Sequence, residues 1–173
     1  MVLYPVARRH GERLALGFLA SRVMEAAVIT TGVVALLAVV TLRQAPPAAG
    51  PEALTATAAG LVAGRDWTFL LGPGLCAGLN AALLGSLLLR SGLVPRWIPL
   101  IGLVGAPLHL TAVLATILGV NSQMSVVSAV AVVPIVVWEL SLALRLTFRG
   151  FRTPAPGPRH PVPVGPTPGQ VGE

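Results

Sequence analysis

The sequence predicts an all-α, polytopic transmembrane helical bundle of about four spans, followed by a disordered, proline-rich C-terminal tail. Two features of composition predict it: 54% of the 173 residues are hydrophobic and only 10% are charged. The third feature is that four long apolar stretches are separated by turn and charge signals. A soluble domain of this length could not bury so much apolar surface in one core, whereas a bilayer removes that requirement.

Each apolar stretch is long enough for a transmembrane helix, which needs about 20 apolar residues. The predicted spans cover residues 14–42, 67–89, 97–120 and 124–148. They form a four-helix transmembrane domain over 14–152, after an N-terminal segment at 1–13. The first run is too long for a cleaved signal peptide. Residues 51–64 are expected to form a short helix at the membrane surface, which begins at Pro51 and ends at Gly64.

Arginine placement predicts the orientation. All twelve basic residues are arginine and the net charge is +6. Nine of them would lie on one side: Arg8, Arg9, Arg13, Arg90, Arg96, Arg145, Arg149, Arg152 and Arg159. Only Arg43 and Arg65 flank the other side, so the positive-inside rule places both termini in the cytoplasm. We therefore expect a multi-pass protein of a bacterial inner membrane. Its partner would be the lipid bilayer, and nucleic acid is not expected as a partner.

The C-terminal segment, residues 153–173, contains seven prolines. Such a segment can neither form a helix nor bury a core. It is predicted to be disordered and partly polyproline.

Charged and polar residues inside the predicted spans are candidate functional residues, because ionisable groups are costly at membrane depth. The candidate cluster contains Arg22, Glu25, Asn80 and Glu139, with Ser21 and His109 as possible additional members. By the helical rise, the cluster lies at similar depth in the cytoplasmic half. Arg22 is expected to pair with Glu25 on its own helix and with Glu139 on another. The cluster either fixes helix register or handles protons or a cationic substrate.

Small residues predict where helices approach closely. Gly74, Gly78, Ala81 and Gly85 share one face of the second span, and Gly17 and Ser21 repeat the pattern on the first. Pro107 and Pro134 should each kink a helix.

No catalytic, cofactor-binding or metal-binding residues are predicted. Cys76 is the only cysteine, and His109 has no second imidazole inside the spans with which to hold a haem. The sequence contains no nucleophile elbow and no phosphate-binding loop.

Several segments resemble the domain-of-unknown-function 4386 family of multi-pass bacterial membrane proteins. Residues 90–105 (RSGLVPRWIPLIGLVG) carry the most specific resemblance. Weaker matches follow in the right order: RVMEA at 22–26, FLLGPGLCAGLN at 69–80, WELSL at 138–142 and RGF at 149–151. Family members usually have about six spans, so the resemblance implies that the first two are lacking here, through a shortened paralogue or a late start codon. The family implies no catalytic residues.

These observations favour a non-enzymatic structural or interaction protein of the membrane. It would pack with a second copy or with a membrane partner through its small-residue helix faces. The alternative is a small permease or proton-coupled carrier that uses Glu25, Glu139 and His109. An intramembrane enzyme is a third hypothesis with no visible nucleophile–base pair.

Overall fold

The structure, a computed structural model, describes residues 3–44 and 50–152, and these ranges contain helices and no strand. Five α-helices follow in order: α1 (Tyr4–Gln44), α2 (Pro51–Phe69), α3 (Cys76–Ser91), α4 (Trp97–Ile117) and α5 (Val126–Arg149). A π-helix at Leu70–Leu75 joins α2 to α3 without a break. The predicted tail at 153–173 lies outside the described residues.

Four continuous helical stretches are long and apolar enough to cross a membrane: Tyr4–Gln44, Pro51–Ser91, Trp97–Ile117 and Val126–Arg149. Their outer faces are apolar and exposed, as Val34 and Leu37 on α1 illustrate with 59% of each side chain accessible. A soluble protein rarely exposes such continuous apolar surface. The prediction of an all-α, multi-pass membrane protein with four spans is confirmed.

Two helices are longer than the sequence predicts. The first begins at Tyr4, with a kink at Gly11, where the backbone is extended (φ 166°, ψ 86°). The separate short helix at 51–64 was a wrong prediction, because α2 continues through Gly64 to Phe69. A single glycine costs a helix only about 1 kcal/mol, which the helix-forming residues on both sides of Gly64 offset.

Pro73 explains the π-helix. A proline inside a regular α-helix lacks one N–H donor and clashes with the carbonyl four residues earlier. The wider π turn at Leu70–Leu75 accommodates the ring while the chain continues as a helix. Pro107 and Pro134 lie inside α4 and α5, and the predicted kinks there stay predictions.

The helices pack in an open row. The first helix, α1, packs against α2, the π-helix and α3. Beyond α3 lies α4, which packs against it, and α5 packs mainly against α4 and touches α3. Within the described residues, no Cα atoms of α1 and α5 approach within 8 Å. The helices therefore lie side by side in the plane of the membrane in the order α1, α3, α4, α5. The two outer helices, α1 and α5, do not close into a ring.

Arginine-rich segments meet at one end of the row. The amide of Arg152, after α5, donates to the carbonyl of Leu93, in the α3–α4 loop, at 2.8 Å. Ala7 of α1 belongs to the same apolar core as Leu88 and Leu93. We call this end, which carries the N-terminal part of α1, the α3–α4 loop and the end of α5, the basic end.

Candidate functional site: a groove between α1 and α5

A polar contact joins α1 to α3 inside the apolar row. One carboxylate oxygen of Glu25, Oε2, accepts hydrogen bonds from Arg22 Nη1 at 2.7 Å and from Asn80 Nδ2 at 2.9 Å. The Arg22 side chain is 48% exposed and that of Glu25 only 13%. The guanidinium carbon of Arg22 lies 5.8 Å from the centroid of the Phe18 ring, a cation–π distance. Three of the four predicted cluster residues are thus brought together.

Further polar atoms are buried at the same α1–α3 interface. Ser21 Oγ and Asn80 Oδ1 have no hydrogen-bond partner among the described residues. Ser21 faces α3 from the turn next to Glu25, and Asn80 is almost completely buried. The interface therefore keeps hydrogen-bonding capacity beyond the contact with Glu25.

Glu139 does not join this cluster. Its side chain is exposed, and neither of the two salt bridges in the described residues includes it. The predicted pairing of Arg22 with Glu139 inside one chain was wrong. The reason is the packing order, since Trp138 and its neighbours hold α5 against α4 while α1 lies on the far side of α3.

Glu139 faces the open space between α5 and α1. It belongs to a stripe with residues three and four positions apart, which share a helix face: Ser128, Val132, Ile135, Glu139, Leu142 and Leu146. At one end of the stripe, Leu142 lines a void together with Leu84 of α3 and Ala7 of α1. At the other end, Val132 lines a cleft together with His109. The stripe therefore follows the α5 wall of the open space.

We call this space the groove: its walls are α1 and α5 and its floor is α3. On the α1 wall, a recess of about 460 Å³ is lined by residues between Leu3 and Ala26, including Arg22. Toward the basic end, the N-terminal part of α1 closes the groove and leaves a void of only about 10 Å³. Such a void is at the limit for a single water molecule, so this void does not connect the basic end to Glu139.

His109 lies at the opposite end of the groove and binds the π-helix. Its Nε2 lies 2.9 Å from the carbonyl oxygen of Gly74, which can only accept, so Nε2 donates. His109 also lines a cleft of about 330 Å³ with side chains from the α4–α5 connection, Ser125 among them. Its Nδ1 has no partner in the part of the chain that the structure describes. His109 thus connects α4 to the π-helix between α2 and α3 through a hydrogen bond.

The predicted small-residue stripe is occupied by a helix of the same chain. A Cβ added at Gly78 would lie 2.5 Å from Leu110, and one at Gly85 would lie 3.2 Å from Leu103. Both leucines belong to α4. This face is therefore occupied by α4 of the same chain, and a contact with a partner stays a prediction. Gly17, on α1, approaches Leu83 of α3 in the same way.

Sequence reasoning missed the glycines that join α4 to α5. A Cβ at Gly102 would lie 2.7 Å from the Trp138 ring, and one at Gly105 would lie 2.8 Å from Pro134. The signal that could have found them is the three-residue spacing of two glycines inside the third span.

No metal site is visible among the described residues. They contain no group of three or more His, Cys, Asp or Glu side chains that could hold a metal ion. Cys76 is completely buried, and its Sγ donates to the carbonyl of Leu71 at 3.7 Å. His109 donates to a backbone carbonyl rather than to a hydroxyl or thiol.

Comparison with known proteins identifies the family. The family model described as domain of unknown function (DUF4386) matches residues 1–150. The chain belongs to this family. The match covers all five helices and both walls of the groove. No curated protein and no solved structure matches the chain.

Proposed function

We propose that this DUF4386 protein is a non-enzymatic interaction protein of the bacterial inner membrane that binds another transmembrane helix in the groove. Both termini would lie in the cytoplasm, since the basic end carries eight of the nine arginines assigned to that side. Self-association and association with a different membrane protein are both consistent with this function.

The exposed carboxyl group of Glu139 is the observation that carries the proposal. Exposed apolar residues surround it on α5, with Val136 at 45% and Leu140 at 58% accessible. A carboxyl group that faces lipid inside a span costs free energy, by about 2.5–3.5 kcal/mol on insertion scales when charged at the helix centre. A second helix in the groove would cover Glu139 and could supply a hydrogen-bond donor.

The carrier hypothesis has less support. A proton or cation pathway from the cytoplasm would need a polar cavity that reaches Glu139 from the basic end. The void between α1, α3 and α5 at that end is only about 10 Å³ and is lined by leucine, valine, alanine and phenylalanine side chains. The recess of about 460 Å³ is lined by α1 residues and not by Glu139. The larger cleft at His109 lies at the opposite end and is mainly apolar.

Photo-crosslinking in native membranes tests the proposed function. A photoreactive amino acid at Leu19, which lines the recess in the groove, should form an adduct with one defined polypeptide, identified by mass spectrometry. The matched control is Val137, an exposed residue two positions from Glu139 and therefore about 200° around α5. Lipid adducts alone at both positions would contradict a helix-binding groove.

A further inference from the structure

We propose that the groove is covered by a second copy of this chain, whose α1 and α5 walls are the transmembrane helices that bind there. The two copies would meet groove to groove about a twofold axis along the membrane normal, and Glu139 of each copy would pair with Arg22 of the other. This inference rests on the proposed function, because it names the occupant of the same groove.

The two charged residues belong to one layer of the row. Three close contacts, each made by a glycine, connect the four helices at one level: Gly17 with Leu83, Gly85 with Leu103, and Gly102 with Trp138. Phe18 follows Gly17 on α1, and Glu139 follows Trp138 on α5. The level of Phe18 on one wall is therefore the level of Glu139 on the other.

The charged ends of both side chains converge on this layer. Side chains on a helix lean toward its N-terminus, and the N-terminus of α1 lies at the basic end whereas that of α5 lies at the other. Arg22 leans toward the basic end, which brings its guanidinium group over Phe18 at 5.8 Å. Glu139 leans the opposite way, so its carboxyl group stays within about one turn, 5.4 Å, of the same layer.

A twofold axis along the membrane normal keeps every residue at its depth and exchanges the two walls. It would place the α5 wall of one copy opposite the α1 wall of the other, with Glu139 facing Arg22 at both contacts. An interface of this kind is self-complementary, as twofold interfaces must be. Charge and depth agree with this arrangement without any movement inside either copy.

Arg22 has donors left for a second carboxylate. Within the described residues it donates only from Nη1, to Glu25, although a guanidinium group carries five N–H donors in a planar fork. Because 48% of its side chain is accessible and it lines the recess in the groove, Arg22 can bind Glu25 and the Glu139 of a second copy together. Asn80 continues to donate to Glu25 at 2.9 Å and so supports the first carboxylate.

Charge exchange between two differently tagged copies tests the dimer. One copy carries Glu139→Arg and the other Arg22→Glu. Either variant paired with itself places like charges at both contacts, whereas the mixed pair restores an opposite-charge pair at both. After extraction in a mild detergent, the mixed pair should co-purify about tenfold or more above either variant with itself, because close charge pairs couple strongly across interfaces.

Two controls keep the result specific. The matched charge exchange Glu52→Arg with Arg43→Glu uses exposed residues at the start of α2 and the end of α1, outside the groove, and should leave co-purification of the tags at the wild-type level. If Arg22→Glu fails to fold, disulfide formation between Leu19→Cys in one copy and Val136→Cys in the other measures the same contact. Val137→Cys replaces Val136→Cys as its control and should give no cross-link.

The outcomes separate this inference from the proposed function. Equal recovery of the mixed and the like pairs, or no disulfide between Leu19→Cys and Val136→Cys, overturns the dimer. The proposed function would survive that result if Leu19 still cross-linked to a different, identified membrane protein. Lipid adducts alone at Leu19 would overturn both.

Discussion

At the scale of single residues, glycines set how closely the helices of the row approach. Without a hydrophobic driving force between helices in lipid, association depends on close packing and interhelical hydrogen bonds. Gly102 provides the flat surface on which the Trp138 ring lies, and Trp138 is only 2% exposed. This contact fixes the rotation of α5, and with it the direction in which Glu139 points.

Gly102→Ala should destabilise the protein by about 1–3 kcal/mol, because the new Cβ forces the indole and the α4–α5 contact apart. The free energy of unfolding in detergent micelles measures the effect. Gly60→Ala is the matched control, since a Cβ there meets nothing within 4 Å. This control should be neutral or stabilising by up to about 1 kcal/mol. Equal effects of the two substitutions would contradict the packing described for Gly102.

At the scale of elements, the π-helix determines where α3 presents its polar groups. Its six residues, Leu70–Leu75, separate α2 from α3, and a π turn rotates the helix that follows relative to a regular α-helix. Asn80 then faces Glu25 of α1, while the Gly74 carbonyl faces His109 of α4. A single interrupted helix thereby contacts both neighbours through hydrogen bonds.

His109→Leu should cost about 0.6 kcal/mol and at most about 1.7, the range for interhelical hydrogen bonds within membranes. The physical reason is that the Gly74 carbonyl loses its donor from α4. Thr111→Val is the control, because the Thr111 hydroxyl is exposed and donates to the carbonyl of Pro107 in its own helix. The comparison uses the midpoint of unfolding, and a larger loss in Thr111→Val than in His109→Leu would contradict the assigned contact.

At the scale of the whole molecule, the row has two different ends and two different walls. The basic end gathers arginines from three separate segments of the chain, and the groove lies between walls that carry opposite charges at one level. A single span, α4, separates Ser91 from Ser122. These two serines must therefore lie on opposite sides of the membrane.

Cysteine labelling tests the orientation. A membrane-impermeant maleimide should label Ser122→Cys in spheroplasts with intact inner membranes, and Ser91→Cys only after the membrane is permeabilised, since the basic end is proposed to be cytoplasmic. The unmodified chain is the background control, because Cys76 is 0% exposed and should stay unlabelled. The reverse pattern would contradict the proposed orientation, and labelling of both serine positions from one side would contradict α4 as a span.

Particular residues show how far the sequence could predict this protein. The four spans followed from local hydropathy, and the pairing of Arg22 with Glu25 followed from their three-residue spacing, because both are properties of one helix. The end of α2 could not be predicted from Gly64, because a glycine can also lie inside a helix at a cost of only about 1 kcal/mol. The role of Gly102 also could not be predicted, because its partner Trp138 lies on another helix.

The sequence by itself determined the membrane class, the four spans and the family, because composition and hydropathy act along the chain and need no partner. Only the tertiary structure decided which polar groups on different helices meet. The position of a residue along its helix sets its depth in the membrane. The sequence alone therefore placed Arg22, Asn80 and Glu139 at comparable depths. The lateral order and the rotation of the helices depend on packing between them. This packing lets Asn80 donate a hydrogen bond to Glu25, whereas it separates Glu139 from Arg22 by an open groove. The same packing buried the glycine stripe of α3 against α4.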